Sequence, residues 1–560
     1  MTTDELRRLI DEGETFTVEF KGEEREPLSD SELVETVVCL ANGEGGTLLV
    51  GVEDDGRVTG AHPRHETGTT DLDRVKALIA NRTQPPVRAD VELSELEGET
   101  VMVVGVPNEP RVVGTTDARY VRRALGGDGR PACIPFHAHE MLAHEIERGA
   151  VDYAALDVPE ARWDDLDPLE FERLRRLIRE GAGGDAALAG LADLDIAKAL
   201  GVVTANAELH SIRAGALLLF GREDALRRHV PTHEVAFQVL SGTSVEVNDF
   251  FRWPLFRIAD ELATRFRARN QEEEIEMGLL RIGIPEYPEG SFREAVANAL
   301  VHRDYTERGA VHVQWSAEAL EISNPGGLPA GITLDNLLVA PPRPRNPILA
   351  DAFKRAGLVE RIGRGVNRIF EGQLRYGRGA PDYSRSSLND VVVVLSGGPA
   401  NLSLTAYVVE QAQAGHPLSL EALIAVNELA RERRITTQRA AELFQRDEAS
   451  TRGLLNQMVD RGVLEARGEG RGREYHLSAA AYRAIGEEAA YVRVHGFEPL
   501  QQEQMILQYV DGHGRITRSQ AADLCQIPPR RARALLKRLV DRGDLKLVGT
   551  RRTAYYERPA

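Results

Sequence analysis

The segment FREAVANALVHRDY, from Phe292 to Tyr305, most constrains what this chain can fold into. Its apolar residues recur at helical spacing: Phe292, Val296, Ala299 and Leu300. Along the other side, Glu294, Asn298 and His302 follow one another at i, i+4 and i+8. That spacing stacks side chains on one helical face. The sequence therefore predicts an amphipathic helix that presents a carboxylate, an amide and an imidazole in a row.

The polar row on this helix has two interpretations. A carboxylate can orient water and an amide oxygen can bind Mg²⁺, so the row could serve a nucleotide phosphate. Alternatively, the helix is buried and its polar residues are simply hydrogen-bonded. The next residues favour the first interpretation. A β-rich run over residues 310–323 leads into the turn NPGGLP (Asn324–Pro329), and a second glycine pair follows at Gly363 and Gly365.

This order of helix, strand pair, glycine turn and glycine-flanked helix resembles the GHKL ATP-binding fold in its divergent helicase-like or regulator-like branch. HRDY (His302–Tyr305), NPGGLP and the RNP of Arg345–Pro347 mark that branch. The resemblance implies that Asn298 ligates Mg²⁺ and that Glu294 activates water in hydrolysing members. It implies ATP as the ligand and these nucleotide-binding residues: Glu294, Asn298, His302, Asp304, Gly326, Gly327, Gly363 and Gly365.

The turn that reads adenine departs from the GHKL pattern. Its usual Asp in D-x-G-x-G is missing, and Asn324 stands there with Gly326 and Gly327. The sequence contains no P-loop G-x4-G-K-[ST] either. We therefore expect nucleotide binding and leave hydrolysis open.

Composition limits the class of protein. At 560 residues, with 42% apolar and 28% charged residues, the chain should form several globular domains. It has no run of 18 apolar residues and no apolar N-terminal signal, so we expect a cytoplasmic protein without membrane contact. Cys39, Cys133 and Cys525 are far apart and odd in number, which predicts no disulfide framework and suits a reducing compartment.

The first 150 residues contain a strand, TFTVEFKG, and a helix predicted from Ser31 to Ala41 with Ser31 as its N-cap. The segment resembles the Schlafen AlbA-type domain. The motifs that carry the resemblance are EFKG (Glu19–Gly22), ANGEGGTLLVGVEDDGRVTG (Ala41–Gly60) and the YVRR after Arg119. Resemblance to Schlafen-type proteins also implies a link to phage defence.

Some Schlafen-type proteins cleave RNA with a carboxylate triad, and the resemblance implies catalytic residues here at Glu14, Glu19, Lys21 and Asp54. Glu53 and Asp55 are alternates for Asp54. Hard carboxylates can hold Mg²⁺ or Mn²⁺, which activates water, and a lysine can steady the scissile phosphate. The implied metal ligands are Glu14, Glu19, Asp54 and, in the GHKL-like module, Asn298. The alternative is a domain that only binds nucleic acid, with its carboxylates solvated.

Two further strands are predicted downstream. SIRAGALLLFGRED (Ser211–Asp224) reads as a buried strand, and DVVVVLSGG (Asp390–Gly398) as a strand central to a sheet. The acidic helical stretch before the first of these carries no predicted chemistry.

The C-terminal part repeats one pattern twice, in which RIT…AAEL and VDRGVLEA return as RIT…AADL and VDRGDLKL. Each copy reads as three helices and a β-hairpin, and both resemble winged helix-turn-helix domains. In that fold the third helix enters the major groove. In the first copy, Thr451 and Arg452 begin this helix. The second copy gives these DNA-binding candidates: Arg530, Arg531, Arg533, Lys537, Arg551 and Arg552.

Charge supports a localised nucleic-acid contact. The net charge is −18, but residues 511–560 hold 12 Lys or Arg against 5 Asp or Glu, a local +7, so the preceding residues carry −25. A basic tail on an acidic body is typical of a protein that contacts nucleic acid at one place. Protein–protein modules remain the alternative for both copies.

The sequence thus predicts an α+β multidomain protein with an AlbA-type α/β domain, a GHKL-like α/β sandwich and tandem winged helix-turn-helix domains. The boundaries are 1–150, 151–210 (helical linker), 211–400, 401–485 and 486–560. We expect a homo-oligomer that binds nucleotide and nucleic acid, DNA, RNA or both. One hypothesis is a nucleotide-controlled, metal-dependent endonuclease, and the other is a non-catalytic DNA-binding regulator that senses nucleotide.

Overall fold

The computed structural model describes the chain except for residues 66–67, 127–129, 182, 207–208, 243, 278–279, 360–363, 469–472, 486–498, 526, 550–553 and 560. The chain is of the mixed α+β, multidomain class that the sequence predicts. Across the described ranges, no helix has both the length and the apolar character needed to cross a membrane.

The N-terminal unit is built on a four-stranded sheet in the order β1-β2-β5-β4, in which β1 and β2 run parallel. Its elements are α1 (Thr3–Glu12), β1 (Val18–Lys21), α2 (Asp30–Ala41), β2 (Gly46–Val50), α3 (Leu72–Arg82), β3 (Thr83–Gln84), β4 (Asp90–Leu96), β5 (Glu99–Val106), β6 (Gly114–Thr115), β7 (Val121–Leu125), β8 (Pro131–Pro135) and α4 (Ala138–Glu147).

Helix α2 begins earlier than the sequence predicts. Ser29, not Ser31, is the N-cap, because its hydroxyl accepts from the backbone N–H of Glu32 while the Glu32 carboxylate accepts from the backbone N–H of Ser29. This reciprocal capping box satisfies two N–H groups and fixes the start of the helix.

The expectation of no disulfide is wrong. Cys39 on α2 and Cys133 on β8 are bonded, with their Cα atoms 5.7 Å apart. The β7–β8 hairpin packs on α2 and so joins two cysteines that are 94 residues apart in sequence. Cys525 is free and buried. Cysteine spacing therefore no longer argues for a reducing compartment.

The middle of the chain shares one hydrophobic core from Ala154 to Leu395. After short 3-10 turns at Tyr153–Ala155 and Trp163–Asp165, its first elements are α5 (Pro168–Glu180), α6 (Ala186–Ala189), α7 (Asp193–Ala199), β9 (Val203–Asn206), β10 (Leu209–Ile212), α8 (Ala214–Phe220) and α9 (Glu223–His229). Residues 151–210 are thus packed against the following module.

The strand predicted over Ser211–Asp224 is mostly a helix. Only its start lies in β10, and α8 follows with every residue from Ala214 to Phe220 buried. Because no polar face remains, hydrophobic periodicity cannot separate helix from strand here. The run has alanine and leucine and no β-branched residue, which favours a helix.

The second half of this core contains a five-stranded sheet in the order β12-β11-β15-β16-β17. The elements are β11 (Val235–Ser241), β12 (Ser244–Phe251), α10 (Leu255–Arg269), β13 (Glu272–Met277), β14 (Leu280–Pro285), α11 (Glu289–His302), β15 (Val311–Trp315), β16 (Ala319–Pro325), α12 (Pro347–Arg355), α13 (Gly365–Arg375) and β17 (Asp390–Ser396). β17, predicted as central, is the edge strand. A bridge between Asp382 and Val394 lies on its outer edge, and its apolar character is explained by Val393 and Leu395, which are buried in the core.

Two smaller units with their own cores follow. The first contains α14 (Leu402–Gln413), α15 (Leu420–Glu432), β18 (Ile435–Thr436), α16 (Thr437–Phe444), α17 (Glu448–Asp460), β19 (Leu464–Arg467), β20 (Glu474–Leu477) and α18 (Ala479–Ala484). The second contains α19 (Pro499–His513), α20 (Arg518–Cys525), α21 (Pro529–Asp541), β21 (Lys546–Val548) and β22 (Tyr555–Glu557). Each unit contains a set of three helices, α15 to α17 in the first and α19 to α21 in the second, that precedes an antiparallel strand pair, and we call the two units the first and second three-helix units.

Candidate functional site

Helix α11 lies between the five-stranded sheet and α13, with its apolar residues in the core. Phe292 stacks on Phe266 of α10 with ring centroids 4.1 Å apart, which anchors the start of the helix. The opposite face borders a cavity of about 990 Å³, and Glu294, Asn298 and His302 all line it. The helical spacing of these three residues thus brings them to one cavity.

Two side chains of this row offer unused hydrogen-bonding groups. Asn298 is half-buried, and its amide has no hydrogen-bond partner among the described residues. His302 Nδ1 is buried without a partner in the same part of the chain. Burial, together with the nearby Arg345 cation, lowers the pKa of His302 to about 4, so the imidazole is neutral at pH 7. A buried polar group without a partner is costly, which favours a ligand at this position.

Glu294 and Gly365 are in close contact across the cavity. A Cβ at position 365 would stand 2.1 Å from Glu294 Oε1, so a larger residue here would require the Glu294 side chain to move. Glu294 itself is buried. Gly363, the other glycine of the predicted pair, lies outside the described residues.

The HRDY and RNP motifs meet at the end of α11 in a buried ion pair and a set of hydrogen bonds, which together we call the lock. Arg345 Nη1 pairs with Asp304 Oδ2 at 2.9 Å, and both side chains are buried. Asn346 Nδ2 donates to the backbone oxygens of Val301 and Arg303 at 2.8 and 2.9 Å, which satisfies the last carbonyls of the helix. Arg303 is fully buried and donates only to backbone oxygens, including that of Gly309 at 2.7 Å.

Three of the predicted nucleotide-binding residues take part in these buried contacts beside the cavity. Asp304, Gly326 and Gly327 do not line the cavity. Asp304 is held by Arg345, and a Cβ on Gly326, which has φ +93°, would stand 2.8 Å from Asp304 Cβ and 3.1 Å from Arg345 Nη1. A Cβ on Gly327 would stand 2.4 Å from the Leu388 backbone oxygen. These three residues are therefore part of the close packing beside the cavity.

Sequence reasoning missed the basic and apolar residues of the cavity. The cations on its wall are Arg343, Lys354, Arg364 and Arg446. The apolar residues include Ile322, Leu328, Ile332, Val391 and Val393, and Tyr383 adds a ring. A cavity that combines apolar residues with polar groups and cations suits a base and phosphates. The cations come from four separate places in the chain, and although Arg364 lies within the predicted glycine pair, Arg343, Lys354 and Arg446 lie in none of the predicted motifs.

In the N-terminal unit, Glu14, Glu19 and Lys21 lie together at β1. Lys21 Nζ is 2.6 Å from Glu19 Oε1, and Glu14 Oε1 accepts from the backbone N–H of Phe20 at 3.0 Å. Burial raises the pKa of the Glu14 carboxyl, and the nearby Glu19 charge raises it further. The sequence missed Arg123 of the YVRR motif, which is buried, pairs with Glu19 and donates to the backbone oxygens of Thr15 and Val18.

The predicted third carboxylate does not join this cluster. Asp54 is exposed on a turn, and Asp55 pairs with Arg57 at 2.8 Å. Glu53 is closer to β1, since its carboxylate packs on Gly22, but it accepts hydrogen bonds from Glu24 and Thr59. Among the described residues no three His, Cys, Asp or Glu side chains could hold a metal ion. With Glu19 already neutralised by two cations, Glu14, Glu19 and Asp54 do not fit Mg²⁺ or Mn²⁺ in this geometry.

Helix α21 separates its charges from its core face. Ala532, Leu535, Leu536 and Leu539 are buried, while Arg530, Arg531, Arg533 and Lys537 are exposed. These four cations form no ion pair with any described residue, whereas Arg542 pairs with Glu503 of α19 at 2.9 Å. Arg551 and Arg552 lie outside the described residues. In the first copy Thr451 is buried in the core, so only Arg452 of that pair is exposed.

Comparison with known families now adds to this geometry. Residues 14–128 match the family model "Schlafen, AlbA_2". The chain carries a Schlafen AlbA_2 domain. Beyond this Schlafen AlbA_2 domain, residues 140–236 match a "Domain of unknown function (DUF8451)", and residues 309–395 match "Putative ATP-dependent DNA helicase recG C-terminal". The last match begins after α11 and spans β15 to β17.

No curated protein matches the chain. Among solved structures, the DIP2311 protein from Corynebacterium diphtheriae is similar to it, with 21% sequence identity over 99% of each chain and a TM-score of 0.50. At this level of identity the likeness concerns the fold alone.

Proposed function

We propose that this chain is a nucleic-acid-binding protein controlled by ATP, which binds in the cavity beside α11. The observation that carries the proposal is the cavity itself, where Asn298 and His302 present polar groups that have no partner in the described part of the chain. The recG C-terminal match over residues 309–395 supports nucleotide use. The Schlafen AlbA_2 domain and the basic helix α21 support nucleic acid as the controlled ligand.

The residues of the cavity divide into three roles in this proposal. Asn298 would hold Mg²⁺ through its amide oxygen, and the bound ion would neutralise phosphate charge. Arg343, Lys354 and Arg364 would face the phosphates, and the apolar wall would take the base. We propose binding without a hydrolysis step, because the carboxylate of Glu294 packs against the backbone at Gly365.

Asn298→Ala is expected to weaken ATP binding by about tenfold or more, the usual loss when a charge-assisted contact is removed. Isothermal titration of the full chain with Mg-ATP measures it. Asn248→Ala is the matched control, because Asn248 is exposed on β12 and bonds only to Gln238 among the described residues. Equal ATP affinity in the wild type and Asn298→Ala would remove the proposed role of α11.

A second candidate, nucleic-acid cleavage, is favoured by one observation, the cluster of Glu14, Glu19 and Lys21 at β1. Glu19→Ala is a poor test because it leaves the buried Arg123 without its carboxylate. If the domain cleaves, Glu14→Gln should reduce the rate by about a hundredfold or more, as expected on losing a general acid or base. Asp54→Asn, on the exposed turn, should leave the rate unchanged.

The assay for cleavage is a panel of tRNA, other RNA and DNA, with and without Mg²⁺, Mn²⁺ and ATP. An intact panel with the wild type would remove the cleavage candidate and leave the ATP proposal standing. A rate lost in Asp54→Asn and kept in Glu14→Gln would contradict the assignment to this cluster.

A further inference from the structure

The cavity beside α11 is completed by residues from the next unit of the chain. Ser419, Leu420, Glu421 and Arg446 form what we call the C-terminal wall. Arg446 lies in the short turn between α16 and α17, and its Nη2 is 3.1 Å from Glu421 Oε1. The Arg446 side chain is still 42% exposed, so one carboxylate does not enclose it. A cation from the first three-helix unit therefore reaches the proposed nucleotide site.

The neighbouring residue, Gln445, makes two hydrogen bonds to the backbone of the proline-rich loop (residues 328–344). This loop forms another side of the cavity. Its Oε1 accepts from the backbone N–H of Leu338 at 2.6 Å, and its Nε2 donates to the Leu334 backbone oxygen at 2.6 Å. Gln445 has φ +54°, a left-handed conformation that non-glycine residues adopt rarely. The same residue thus ends α16 and holds the loop.

A second connection runs through α13. One end of this helix begins at Gly365, against Glu294. At the other end, Leu374 belongs to the core of the first three-helix unit, and its backbone oxygen accepts from Asn427 Nδ2 of α15 at 3.0 Å. Two sides of the cavity, the proline-rich loop and α13, are therefore attached to this unit by direct contacts.

We infer that the first three-helix unit senses the phosphates of bound nucleotide through Arg446 and transmits occupancy to α17 through Gln445. This inference rests on the proposed ATP binding. A phosphate offers several charged oxygens in a site of low polarity and competes with Glu421 for the guanidinium. Movement of Arg446 displaces the turn that leads directly into α17. α17 is the third of the helices α15 to α17. In a winged helix-turn-helix fold the third helix enters the major groove, so a displacement of α17 changes the surface that contacts nucleic acid.

The sensing step is tested by the affinity of Arg446→Ala for ATP and for adenosine, which has no phosphate. ATP binding should weaken about tenfold, as for the loss of one charged hydrogen bond, while adenosine binding stays within about twofold. Arg439→Ala is the matched control. Arg439 lies on α16, pairs with Glu428 and Glu442, and does not line the cavity.

Unchanged ATP affinity in Arg446→Ala would overturn the sensing role and leave the proposed function intact, provided that the wild type binds ATP. No ATP binding by the wild type would overturn both. An equal loss of ATP and adenosine affinity would also contradict phosphate sensing, since it would indicate a change in the shape of the cavity.

The transmission step is tested with Gln445→Glu, which keeps the acceptor for Leu338 but removes the donor to Leu334. ATP affinity should stay within about threefold, because Gln445 does not line the cavity. The effect of ATP on the affinity for duplex DNA should fall to less than about half of its wild-type size on a logarithmic scale. An ATP effect of wild-type size in Gln445→Glu would overturn transmission through this residue.

Discussion

Replacing Arg345 with alanine is expected to lower the free energy of unfolding of the central unit by about 3–5 kcal/mol, because the Asp304 carboxylate then remains buried without its cation. The two side chains are 2% and 6% exposed, so water cannot take the place of the lost partner. The end of α11 would also become less stable. The residue after Arg345 is Asn346, whose side chain satisfies the last carbonyls of the helix.

Tryptophan fluorescence during urea unfolding measures this effect in the right part of the chain. All three tryptophans, Trp163, Trp253 and Trp315, lie in or against the core that contains α11. Arg385→Ala is the control, because Arg385 is exposed and its pair with Glu321 is at the surface. Exposed pairs contribute about 1 kcal/mol or less. An Arg345→Ala protein as stable as Arg385→Ala would contradict the lock at α11.

The second large effect concerns the exposed cations of α21. Replacing Arg530, Arg531, Arg533 and Lys537 together with alanine is expected to lower the affinity for duplex DNA roughly a hundred- to a thousandfold at 0.15 M salt. The slope of log K against log salt should fall by about 3 to 4, one counterion for each lost phosphate contact. The fold should survive, because the buried face of the helix keeps its alanine and leucines.

The control uses two cations of the same segment that are already paired. Arg538 and Arg542 both contact Glu503 of α19, so Arg538→Ala with Arg542→Ala should change the salt slope by less than about 1. Fluorescence anisotropy with labelled duplex DNA between 0.05 and about 0.3 M salt covers the useful range. An unaltered slope in the four-residue variant would exclude α21 as the phosphate contact.

Regular periodicity made α11 predictable, and its absence explains the errors nearby. In α11, apolar residues recur at helical spacing and Glu294, Asn298 and His302 follow one another at i, i+4 and i+8, so both the helix and its polar row follow from the sequence. The run from Ala214 to Phe220 has no polar face, and the strand Asp390–Ser396 is apolar although it lies at an edge. In both cases the neighbouring elements decide the structure: helix or strand for the first segment, and position in the sheet for the second. No local sequence pattern reveals these neighbours.

The candidate site was partly predictable for the same reason. Glu294, Asn298 and His302 are on one helix, and the sequence places them together. Arg446 and Arg343 reach the same cavity from distant segments, and Arg123 reaches Glu19 across 104 residues. Asp304, Gly326 and Gly327 were predicted from the same resemblance, but they belong to the packing beside the cavity and not to its lining. Geometry, which the sequence does not show, separates the residues that line the cavity from those that do not.

The central claim is that ATP in the α11 cavity controls binding of nucleic acid. The most direct measurement is the affinity of the full chain for duplex DNA with and without saturating Mg-ATP, in the wild type and in Asn298→Ala. We predict a change of about fivefold or more in the wild type, the usual size of coupling between two sites, and none in Asn298→Ala. Identical DNA affinity with and without ATP in the wild type would contradict the account.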